Sequence, residues 1–166
     1  MAKFILPKFG QLDTENLEEY YDATIDLNGQ EVQIDLNFGQ TTIGVDKLES
    51  VKKFIETISD LDLKNRKYIE ADYHDEDADS VRTYVEHHLE ELDEDDLSSL
   101  IDKSNKKLSP EMQLVKQLRL VRMGLYPQEE DQFAIFDYSI DPELTQYLVV
   151  LFTNEHGEVE YITMES

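Results

Sequence analysis

The chain has 166 residues, 40% of them hydrophobic, with seven Phe and nine Tyr. That is enough to bury roughly two-thirds of its unfolded surface, so residues 1–166 are expected to form one folded domain and not a disordered acidic tail. It has no cysteine, which excludes disulfides, thiolate metal sites and cysteine nucleophiles, and its net charge of −23 repels nucleic acid and anionic membranes while favouring a basic protein as partner.

The chain opens with a short apolar run, Phe4–Leu6. This is far below the about 7–15 residues of a signal-peptide core. No stretch approaches the ~20 apolar residues of a membrane span. A cytoplasmic location follows as the expectation. Phe4–Phe9 suggests an edge strand, weakened by Pro7, which has no amide to donate. Residues 23–38 carry a clear period of two. Ala23, Ile25 and Leu27, then Val32, Ile34, Leu36 and Phe38, alternate with polar residues around Asn28-Gly29. That pattern predicts a β-hairpin with one wet face, because Asn-Gly tolerates the positive φ of a two-residue turn.

The middle of the chain reads as helix. Asp46 with Glu49 has the spacing of a capping box ahead of Leu48, Val51, Phe54, Ile55 and Ile58. A weaker helix is expected over 63–73. A third starts near Asp79, with Val81, Val85, His88 and Leu92 on one face, and a short fourth follows Asp93. Ser109-Pro110-Glu111 is a strong helix start. Met112, Val115, Leu118, Val121 and Leu125 then predict a helical stripe closed by Gly124 and Pro127. Strands are expected at 133–140, 147–152 and 159–164 as an antiparallel meander. Tyr147–Phe152 is nearly all apolar, which suggests cover on both faces. The expected fold class is α+β, with the N-terminal hairpin and the C-terminal three-stranded meander in one sheet and four to five central helices packed on it.

Charge is unevenly spread. Residues 70–96 hold thirteen carboxylates and a single cation, Arg82. Residues 103–122 reverse the sign, with Lys103, Lys106, Lys107, Lys116, Arg119 and Arg122 against Glu111. Two arrangements are open: a basic helix that neutralises the acidic segment, or an acidic segment that faces outward as a docking surface. For the second, the expected contact residues are Asp72, Asp75, Glu76, Asp77, Glu90, Asp93 and Glu94.

Three chemistries are open to the residues of this segment. Asp75, Asp77, Asp79 and Glu86 match positions 1, 3, 5 and 12 of a calcium loop. Ser80 stands where that loop needs glycine, and Arg82 stands where it needs an apolar residue. These acids also suit the start of the next helix, whose dipole favours negative charge. His87 and His88 are each spaced from Glu91 for one helix face, but no complete transition-metal ligand set accompanies them. A carboxylate-dependent hydrolase needs two acids in contrasting environments, and no nucleophile elbow or glycine-rich phosphate loop is present. No cofactor is expected. Tyr20 and Tyr21 are adjacent, so in a strand one of them must face away from the core, and Tyr68, Tyr73 and Tyr84 lie near the acidic block. The tyrosines are divided between anchors on a binding surface and half-buried core-rim residues.

Two stretches together resemble a bacterial family catalogued only as a domain of unknown function. One is Phe9-Gly10-Gln11-Leu12 leading to Tyr20-Tyr21 and Leu27-Asn28-Gly29. The other is Phe136-Asp137-Tyr138, Leu144-Thr145, Leu148-Val149-Val150 and the ending Ile162-Thr163-Met164-Glu165-Ser166. The resemblance rests on turn and core residues, so it implies a fold and no site. The functional expectation is a non-enzymatic interaction protein that binds a cationic partner, of the kind immunity-type inhibitors represent.

Overall fold

The computed structural model describes residues 2–166. Strand β1 (Lys3–Leu6) pairs antiparallel with β2 (Gly10–Asp13) in a sheet of their own. Residues 4–9 are therefore not an edge of the main sheet. Pro7 lies in the tight turn between the two strands, where its missing amide costs no ladder bond.

Strands β3 (Tyr20–Leu27) and β4 (Gln30–Asn37) form the expected hairpin. Asn28 and Gly29 both take positive φ, 53° and 84°, as a turn matched to strand twist requires. The register sets Ala23 against Ile34 and Ile25 against Val32, so one apolar face faces the core.

Among the described residues five helices follow: α1 (Val45–Glu56), α2 (Ile58–His74), α3 (Ser80–Glu91), α4 (Glu94–Leu100) and α5 (Pro110–Gln117). The expected capping box at Asp46 is not made. The chain enters α1 in extended conformation at Gly44, and Asp46 lies inside the first turn. Helix α2 is longer than its weak period suggested and starts at Ile58.

The largest departure is at 118–125. Helix α5 stops at Gln117, and β5 (Arg119–Leu125) follows at once. The apolar positions satisfy both periods. Leu118, Leu120, Met123 and Leu125 are all buried. A register shift between Leu120 and Arg122 leaves Val121 as an extra residue and breaks the alternation that marks a strand.

β5 joins the two sequence-visible halves of the sheet. It runs parallel to β4 and antiparallel to β6 (Ala134–Ser139), followed by β7 (Leu148–Thr153) and β8 (Val159–Glu165), in the order β3-β4-β5-β6-β7-β8. Parallel neighbours need a long crossover, and here that crossover is all five helices. Ile34, Leu36, Met123, Phe136, Tyr138, Val149 and Leu151 from the sheet and Leu48, Val51, Val81, Tyr84, Val85 and Leu114 from the helices are completely buried in one cluster. Phe54 of α1 meets Phe133 with ring centres 5.1 Å apart. The opposite sheet face keeps Asp22, Thr24 and Gln33 exposed. Among the described residues no helix is long and apolar enough to cross a membrane.

Candidate functional site

The acidic segment folds as the end of α2, a tight turn and all of α3. In α3, Val81, Tyr84, Val85 and His88 face the core. Helical spacing then forces Asp79, Thr83, Glu86 and Glu90 onto the opposite side, where all four are exposed. Asp75, Glu76 and Asp77 are exposed in the turn before α3, Glu91 is exposed in its last turn, and Asp93, Glu94 and Asp95 are exposed after it. The result is one acidic ridge along the outer side of α3.

Arg82, the only Lys or Arg within 70–96, makes no ion pair with this ridge. Its Nη1 donates to the Ala78 carbonyl at 3.0 Å, and its Nη2 donates to the carbonyls of Tyr73 at 2.9 Å and Asp75 at 3.0 Å. The guanidinium closes the α2–α3 turn by capping backbone oxygens. Among the described residues, the ion pairs that hold members of the thirteen are Glu70–Lys116 at 3.2 Å and Glu94–Lys103 at 2.9 Å.

The expected contact residues divide accordingly. Asp75, Glu76, Asp77 and Glu90 project into solvent. Asp72 turns inward, and its Oδ2 accepts from Val81 N at 3.1 Å, tying α2 to α3. Burial pushes the Asp72 carboxyl above its ordinary range, the Val81 bond opposes this, and Asp75 and Asp79 add repulsion. Asp93 caps α4, accepting from Asp96 N at 2.8 Å. Glu94 is shared with Lys103.

The basic segment is not one helix. Lys103, Lys106 and Lys107 lie in the 101–109 connection, Lys116 alone is in α5, and Arg119 and Arg122 are in β5. A basic helix docked along an acidic one is thereby ruled out. The calcium loop is not formed either. Helix α3 already begins at Ser80, so Asp75–Glu86 cannot wrap an ion. Asp75 spends Oδ1 on the amide of Asp77 at 2.9 Å. Among the described residues no group of three His, Cys, Asp or Glu converges to hold a metal.

His88 is a buried core histidine. Its Nδ1 is 2.7 Å from the Tyr84 carbonyl and its Nε2 is 2.8 Å from Thr145 Oγ1. The Tyr84 oxygen can only accept, so Nδ1 carries the proton in the neutral ring and Nε2 accepts from the threonine. The tyrosines largely follow the core-rim alternative. Tyr84 is completely buried, with its oxygen accepting from Ile140 N at 3.1 Å, and Tyr21 packs edge-on against Phe38. Tyr20 is the neighbour that faces away, 49% exposed.

One charged cluster was not legible. Alternation places Asp35 on the wet face of β4, yet it is completely buried. Arg122, across the β4–β5 joint, lies over it with Nε 2.7 Å from Oδ2 and Nη2 2.9 Å from Oδ1. Asn37 donates to the same carboxylate at 2.7 Å, Tyr126 OH is 3.0 Å from Arg122 Nη2, and Asp137 is 3.5 Å from Nη1. Burial disfavours the Arg122 charge, but the bonds to Asp35 and Tyr126 outweigh it and raise its pKa. The usable signal is an arginine two residues before a glycine inside an apolar run, Val121-Arg122-Met123-Gly124. Comparison of the chain with protein-family models, curated proteins and solved structures returns no match.

Proposed function

We propose that the chain is a non-enzymatic binding protein whose acidic ridge, from Asp75 to Glu94, engages a basic surface on a partner protein. The observation that carries this is the state of Arg82. The single Lys or Arg inside the block is held on backbone carbonyls and makes no ion pair with the exposed carboxylates, so one positive charge stands against thirteen acids and the ridge keeps a strong net negative field. Like charges held together on a rigid helix repel one another, and a partner that supplies lysines and arginines relieves that repulsion. Binding of this kind suits occlusion of a basic enzyme, as an immunity-type inhibitor achieves it.

The test is capture of basic proteins from a native lysate by the immobilised chain, with the fourfold variant Asp75→Asn, Asp77→Asn, Glu86→Gln and Glu90→Gln as control. All four side chains are exposed, so the variant is expected to keep its fold. The reading predicts capture at about 0.02 M salt, sharp loss by about 0.15 M, where screening reaches about 8 Å, and loss in the variant. Capture that persists unchanged in the variant or at high salt contradicts it.

A further inference from the structure

A cleft of about 700 Å³ opens between the loop that follows β4 and the turn that follows β5. Its two walls are bolted together by Gln128. The side-chain Oε1 accepts from Gly39 N at 2.6 Å and Gln40 N at 3.0 Å, and Nε2 donates to the Thr42 carbonyl at 2.9 Å. The cleft is therefore preformed. Ile43 and Pro127 give it an apolar side, and Glu129 and Glu130 stand exposed at its rim. Lys47, the one lysine or arginine lining it among the described residues, is held by Glu155 at 3.2 Å. A second hollow of about 400 Å³ shares Gln128 and Glu129 and adds Tyr20 and Tyr126.

We propose that these joined hollows form a binding site, separate from the α3 ridge, for arginine side chains of an extended peptide. Each part matches a part of arginine. An aliphatic stem packs on Ile43 and Pro127, and the guanidinium fork meets the Glu129 and Glu130 carboxylates. The planar cation also stacks on an aromatic face, which exposed Tyr20 supplies next door. Lysine lacks both the fork and the plane, so the site discriminates between two residues of equal charge. An anion would meet the three carboxylates that line the cleft, Glu15, Glu129 and Glu130, and a lysine already paired with Glu155. The site does not depend on the ridge being functional.

The experiment titrates the isotope-labelled full chain with a blocked Arg-Gly-Arg-Gly peptide and follows backbone amides by NMR, with Lys-Gly-Lys-Gly as the matched probe. Saturable shifts are expected at Gly39, Gln40, Gly44 and Gln128. Glu129→Gln with Glu130→Gln should weaken binding by about ten-fold or more, and the lysine peptide should bind several-fold more weakly. The fourfold ridge variant should bind the arginine peptide as the parent does, which separates this site's failure from the ridge's. The proposal is overturned if shifts do not saturate, if they centre on residues 75–94, if the Glu129/Glu130 variant binds unchanged, or if the lysine peptide binds equally well. Amide spectra of both variants that superimpose on the parent away from the substitutions establish that each is folded.

Discussion

At the scale of single residues, the ion pair on the outer face of the sheet sets the sharpest constraints. Arg122 crosses directly over Gly124, and a Cβ there would sit 2.5 Å from Nη2 and 3.1 Å from Asp35 Oδ1. Gly124→Ala must therefore push the guanidinium off a completely buried carboxylate. We expect a loss of about 1–3 kcal/mol, the usual scale of overpacking, measured by denaturant unfolding. Arg122→Ala strands Asp35 and should cost about 3–5 kcal/mol. In the Arg122→Ala background the glycine substitution should cost much less, because its main obstacle is gone and Asp35 Oδ1 at 3.1 Å alone remains. Full additivity of the two losses would show that Gly124 is needed for another reason.

His88 gives a pH dependence with a definite sign. Burial pushes its pKa below the ordinary 6.5, the Tyr84 carbonyl opposes this, and His87 adds repulsion. The folded chain thus resists the proton that the unfolded chain takes up. Stability from the neutral ring is present above the ordinary value and is lost as pH falls through it. Asp72, Asp96 and Asp137 are raised chiefly by desolvation, so all three act opposite to His88: the folded chain takes up their protons more readily than the unfolded chain as pH falls. A difference measurement removes these. The thermal midpoint of the parent minus that of His88→Gln should shrink between about pH 7.5 and 5.5. A constant difference would mean the ring does not titrate against folding.

At the scale of elements, the legible parts were those with one dominant period or a strong terminal signal. The Asn28-Gly29 hairpin, the three C-terminal strands and the start of α5 at Ser109-Pro110 stand where the residues put them. Strand β5 was hidden because its bulge at Val121 lets Leu118, Val121 and Leu125 imitate a helix stripe. The acid at position 46 mimicked a cap, but the backbone had already turned helical by then. This contrast is testable by thermal or chemical unfolding. Ser109→Ala removes a hydroxyl that accepts from Met112 N at 3.2 Å and should cost about 1 kcal/mol. Asp46→Ala removes only a charge near the α1 dipole and should cost a few tenths of a kcal/mol. Equal losses would restore the capping box.

At the scale of the whole molecule, the net charge of −23 was plain from composition, but its distribution was not. The exposed side of α3 could be read from the period of Val81, Val85 and His88. What could not be read was the fate of the cations, because that depends on which strand Arg122 joins and which carbonyls Arg82 reaches. Placing Arg122 in β5 removes it from the acidic segment, and closing the α2–α3 turn holds Arg82 on backbone carbonyls and out of ion pairs. Both are consequences of long-range topology. Together they leave the ridge as the part of the surface where carboxylates are dense and compensation is sparse.

The most direct measurement of this claim is the paramagnetic broadening of amide protons by a cationic nitroxide relative to an anionic one of the same size. The ratio reports the local potential at each residue. The account predicts its maximum over residues 75–79 and 83–94, collapsing in the fourfold variant. A ratio there no larger than over the exposed strand β3 would contradict it.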